Sequence, residues 1–200
     1  SSVYAAVSDN DFTALQGCVA ALENQHTSLN DAVTAINNKL NATSVAIGES
    51  AVASGNHTTV VGAGAKAVED NSVAIGKSVV ASGINATAMG TEAKAAGAGS
   101  VAIGKDATAD KIPTAGDVIG TPGSESAIAI GNGAKAQNDR AIAIGKSTVA
   151  TGQSSIAFGE NAKAEGMQNV AIGFNSEATR AFGVAIGVDA KSNATNGLAL

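Results

Sequence analysis

A four-residue signature, hydrophobic-Ala-hydrophobic-Gly, returns every 14 residues through most of the 200-residue chain. Its glycines are Gly48, Gly62, Gly76, Gly90 and Gly104, then Gly131, Gly145, Gly159, Gly173 and Gly187, and Leu198-Ala199-Leu200 opens an eleventh unit. A fixed period of this kind marks a chain made of small units, none of which can bury its apolar face alone. Each must therefore stack on its neighbours.

Aligned on the glycine, the units show their columns. The residue two before it is alanine, except for Val60 in the second unit, and the flanking positions are larger: Val45/Ile47, Thr59/Val61, Val73/Ile75, Thr87/Met89, Val101/Ile103 and onward to Val184/Ile186. Alternation with period two predicts a β-strand. Alanine recurs three and five residues after the glycine, as in Ala65/Ala67, Ala93/Ala95, Ala134/Ala136 and Ala162/Ala164. Lys66, Lys94, Lys135, Lys163 and Lys191 stand between such small residues. This predicts a second strand with small residues facing in and lysines facing out.

Two strands of about five residues, joined by glycine-containing turns, make one coil of a parallel β-solenoid stacked at roughly 4.8 Å, so that eleven coils span about 50 Å. For the first strand, the reading preferred from sequence sets the Val/Ile pairs inside the roll and leaves the intervening alanine for close approach between subunits. The reverse orientation satisfies the same period.

Composition agrees with order built from small contacts. Tyr4, Phe12, Phe158, Phe174 and Phe182 are the only aromatic residues, too few to dominate a core. Hydrophobic residues at 44% and charged residues at 14% are the opposite of a disordered profile. The net charge of -5 and the singly spread lysines exclude nucleic acid as a partner. The lone Cys18 excludes an internal disulfide framework and a paired-cysteine metal site. Ser1-Ser2-Val3-Tyr4 has neither the basic nor the apolar part of a signal peptide, so an export signal or membrane anchor is expected outside this segment.

The repeated glycines match no phosphate-binding loop and are read as turn and close-approach positions. One stretch, Lys111 to Ser126, breaks the period, holds both prolines and lengthens a glycine interval from 14 to 27. It reads as a lateral loop, the kind of insertion that carries contacts on an exposed face, with Lys111 and Asp117 as candidates.

Ahead of the repeats, over residues 1–43, apolar spacing alternates between three and four. Phe12, Val19, His26, Val33 and Leu40 fall at heptad position a, and Leu15, Leu22, Leu29 and Ile36 at d, which predicts a coiled-coil helix before a head spanning 44–200. His26 in that seam is read as a register or solvent-facing residue rather than a metal ligand.

No catalytic constellation emerges. His57 falls in a turn without a fixed acidic partner, Cys18 lacks a base, and no cofactor or metal motif is present. A hexapeptide-rhythm acyltransferase is excluded because 14 is not a multiple of six. An ice-binding threonine ladder and a calcium roll of Gly-Gly-x-Gly-x-Asp type are both missing, although Asp106, Asp110 and Asp189 are scattered through the units. The Asn-x-Thr triplets at Asn41, Asn56, Asn85 and Asn193 are read as turn residues.

The repeated Ser-Val-Ala-Ile-Gly, intact at Ser44–Gly48, Ser72–Gly76 and Ser100–Gly104 and nearly so at Asn169–Gly173, resembles the YadA-like heads of trimeric autotransporter adhesins. The resemblance covers about Ser44 to Leu200. It implies an all-β left-handed parallel β-roll, a homotrimer, a bacterial surface location and a membrane anchor outside this segment. It also implies binding to collagen, another matrix protein or a cell-surface receptor, without an enzymatic activity. Through the family's Asn-Ser-Val-Ala-Ile-Gly motif it points to Asn71–Gly76, where Asn71, Ser72 and Lys77 are expected to be exposed and Val73 and Ile75 to be buried scaffold. Lys66 and Lys94 join them as outward candidates. The alternative reading is a structural spacer of a surface fibre without its own receptor site.

Overall fold

The computed structural model describes residues 9–40, 44–110 and 125–200, with helix side chains described from 10 to 33. The chain divides into two units, Ser1–Ala42 and Thr43–Leu200.

The first unit carries one helix, Asp9–Leu40. Its seam residues Phe12, Leu15, Val19, Leu22, Leu29 and Val33 are all exposed. A helix that turns an apolar stripe to solvent has no core of its own to cover it, and it fits a coiled-coil segment. Within the seam, the ring of His26 lies 3.4 Å from the Asn30 amide one turn on. Ile36 and Leu40 fall outside the residues whose side chains are described.

In the second unit, strands alternate between two parallel sheets, an eleven-stranded one and a ten-stranded one. Strands of the first are three residues long, as at Val73–Ile75, apart from the last, Leu198–Ala199, and those of the second two, as at Val80–Ala81. They are shorter than the repeat suggested because turns take the rest of each 14-residue coil. Register is one repeat per coil, with Val73 beside Thr87 and Lys66 beside Val80. The insertion does not disturb it: Val101 pairs with Ile128 and Thr108 with Lys135 across the longer interval. The stretch expected as a lateral loop, with Lys111 and Asp117, lies outside the described residues up to Ser124.

The interior consists of four columns of small side chains. Two come from the first sheet: the alanine between the Val/Ile pair, and the residue two before it, represented by Thr58, Ser72, Ala86 and Ser100. The other two flank the lysine column, as Ala65 and Ala67 do. In the inner coils these are essentially inaccessible to solvent. The Val/Ile pairs instead face outward: Val73 and Ile75 are half-buried and Val45, Ile47 and Phe158 exposed. This reverses the orientation preferred from sequence. The physical reason is thickness. Sheets packed through large side chains stand about 10 Å apart, whereas a 14-residue coil with such short links holds its two sheets close enough for methyl and hydroxymethyl groups. Val60 and Val79 are the largest side chains buried inside.

Two turns per coil connect the sheets, each with one residue in the left-handed region. Two and nine residues after the glycine stand pairs such as Ser78 and Asn85, with φ of 53° and 58°. The repeat glycine itself is fixed twice over. At Gly76 φ is +136°, and an added Cβ would lie 2.6 Å from the Gly90 carbonyl oxygen of the next coil.

Candidate binding surfaces

The sequence-predicted positions fall on three separate parts of the head. Asn71 is exposed at a left-handed turn entering the first sheet, with φ 57°, and its amide donates to the Asn56 carbonyl at 2.8 Å. Lys77 is exposed on the other turn, past the far end of the Val73–Ile75 strand. The strand therefore separates them. Ser72, expected at the surface, is fully buried, and its hydroxyl donates to the Glu69 carbonyl at 2.5 Å. It closes a turn from inside, where water cannot supply that bond. Val73 and Ile75, expected as buried scaffold, are the part of the motif that faces out.

Lys66 and Lys94 project from the second sheet, where lysine occupies every second coil. The order across the ladder is Lys66, Val80, Lys94, Thr108, Lys135. Lys94 pairs with Asp110, and Lys191 lies 3.6 Å from Glu177. The turn edges add further coil-to-coil links at one-repeat spacing: Asn56 donates to Asp70 from both its backbone and side-chain nitrogens, and Lys146 lies 3.0 Å from Glu160. Such exposed pairs each contribute about 1 kcal/mol or less.

Two features escaped sequence reasoning. The first is the outer face of the eleven-stranded sheet, a continuous apolar surface in which Ile47 is 59% and Phe158 51% exposed. A patch of this kind marks an interaction site. The alternation that predicts the strand says which residues share a face, not that this face is the outer one. The second is a shallow groove of about 410 Å³ lined by Ser147, Asn161, Lys163, Asn175, Glu177, Asp189 and Lys191. Along it, Asn161 donates to Asn175 at 3.3 Å and Asn175 to Asp189 at 3.0 Å. Two lysines and two carboxylates balance there, which suits a polar group without strong net charge. Its signal was a column, two residues past the glycine, that turns to Asn161, Asn175 and Asp189 in the last units.

A parallel solenoid with a small-residue core and an uncovered apolar sheet defines a class: a repeat-built head. The chain belongs to the family described as the YadA head domain repeat, whose family model matches residues 41–65, 53–78, 81–107, 124–148, 150–176 and 181–200. Among solved structures it is similar to the collagen-binding domain of the Yersinia adhesin YadA, at 26% identity and a TM-score of 0.56, covering 79% of this chain and 80% of that one. No curated protein matches it. Membership and likeness together support an adhesin-type function.

Proposed function

We propose that this chain is a trimeric adhesin head on a bacterial surface, where it attaches to matrix proteins such as collagen or to a cell-surface receptor. The apolar outer face of the eleven-stranded sheet carries the reading. Columns such as Ile128/Ile130, Ile142/Ile144 and Val170/Ile172 are too extensive to remain in water, and two further copies of the chain, packed by the same face about a common axis, would cover them. The exposed heptad seam calls for partners as well. Three copies would then turn their lysine-bearing sheets and turns outward, and weak sites repeated along each head would gain strength from multivalency.

The chemistry we assign is binding without catalysis: His57 sits exposed in a left-handed turn, and Cys18 is exposed on the helix. Surface plasmon resonance of the segment over immobilised collagen, laminin and fibronectin tests the reading, with saturable binding expected to at least one. No binding to any of them would favour the spacer alternative.

A further inference from the structure

The turn at Arg180–Gly183 departs from the repeat at several positions together. Among the described residues, seventeen outside glycine hold φ between 53° and 61°. Sixteen have polar side chains, and the other is Phe182, at 61°. A bulky residue is a steric outlier in that region, which Asn, Asp and Gly enter far more readily. Phe182 gains little burial in return, being 42% exposed, and Met167 on the preceding coil is 44% exposed. The Phe182 amide donates to the Met167 carbonyl at 2.9 Å, which sets the two on successive turns of one edge. Arg180 is exposed at the position that Gly55, Gly83, Gly97, Gly152 and Gly166 fill in other coils, and it has no ion-pair partner among the described residues.

Packing accounts for one neighbouring departure: buried Asn169 accepts the Gly183 amide inside the roll. It does not account for an exposed ring, thioether and guanidinium, one of them on a strained backbone. Strain held without burial points to a position kept for contact. Arginine, methionine and aromatic side chains are also those enriched in protein interfaces.

We infer that Met167, Arg180 and Phe182 form a contact site for a protein segment that presents an apolar side chain beside a carboxylate. The ring and thioether take the apolar group, and the Arg180 fork takes the carboxylate through paired charge-assisted hydrogen bonds. A single cation is too little for a polyanion. The inference rests on the adhesin reading for its setting, but its test needs no matrix protein.

A phage-displayed random peptide library panned on the 200-residue protein supplies the probe, and enriched peptides are then titrated against the wild type, Phe182→Asn, Met167→Ala and Arg180→Ala. Enriched peptides should pair an aromatic or aliphatic residue with Asp or Glu. Phe182→Asn should weaken them about tenfold or more, with Tm unchanged or raised, because asparagine is at home in this turn. Arg180→Ala should weaken them and abolish the dependence on the acidic residue. The site is overturned by the absence of enriched peptides, by equal binding to Phe182→Asn, by a lowered Tm in that variant, or by loss of its oligomeric state. If peptides bind as expected while the wild type ignores every immobilised matrix protein, the site stands and the matrix-adhesin reading fails. If matrix binding survives Phe182→Asn and no peptide is enriched, the adhesin reading stands and the site fails.

Discussion

Asn169 and Gly183 complete one another inside the roll. The Asn169 Oδ1 accepts the Gly183 amide at 2.9 Å, its Nδ2 donates to the Ala178 carbonyl at 2.6 Å, and both residues are buried. One of the largest side chains in a core of alanines is thus tied to backbone at both ends, and its Nδ2 stands 2.7 Å from where a Cβ on Gly166 would lie. Asn169→Ala removes both bonds and leaves a void beside Gly166, so it should destabilise the head by about 2 to 3 kcal/mol. Thermal melting followed by circular dichroism in the β-region measures this, and an unchanged Tm would mean the pair contributes nothing.

The two kinds of positive-φ glycine should respond differently to substitution. At Gly76 any side chain meets the Gly90 carbonyl, whereas at Gly133, with φ +65°, a Cβ would come no nearer than 4.0 Å to the Ser147 hydroxyl. Gly133 shares its turn position with Asn161, Asn175 and Asp189. Gly133→Asn should shift stability by about 1 kcal/mol or less, while Gly76→Asn should prevent adjacent coils from stacking and unfold the head locally. Comparing hydrogen exchange at the amides of Gly90 and Gly145 in the two variants separates the effects.

Ser192 places a hydroxyl among buried atoms with no hydrogen-bond partner among the described residues. In every earlier described coil the same position is alanine, as at Ala164 and Ala178. Removing an unsatisfied buried group recovers its desolvation cost, so Ser192→Ala should stabilise the 200-residue protein by about 1 kcal/mol. A fall in Tm would show that the hydroxyl is bonded after all.

The orientation of the first sheet predicts a reversal of ordinary core logic. Replacing Ala143, fully buried, with leucine should break the roll, because neighbouring sheets have no room for a larger side chain. Replacing Ile144, half-buried on the outer face, with lysine should leave the β-signal of each chain intact and weaken self-association. Circular dichroism and light scattering on the same two proteins read both effects.

Much of this is legible in the sequence. Period two and the 14-residue interval specify both sheets and the outward lysines. The three-four spacing specifies the helix. What the alternation leaves open is which face of the Val-Ala-Ile strand looks inward, because period two fixes company, not direction. The preference for large apolar residues inside fails where turns are too short to hold two sheets at ordinary spacing. The expectation of an exposed Ser72 fails for the same reason: the residue before Val73 follows the same alternation and shares the inward face of Ala74. Phe182 carries no signal as a left-handed residue, since its side chain is among the last that would suggest one.

Sedimentation equilibrium of the 200-residue protein tests most directly whether the outward Val/Ile face is covered by other copies of the chain. A single species of three times the 19.3 kDa chain mass is expected, dissociating at higher concentration in Ile144→Lys than in the wild type. A folded wild type that sediments as one 19.3 kDa chain at all concentrations would contradict it.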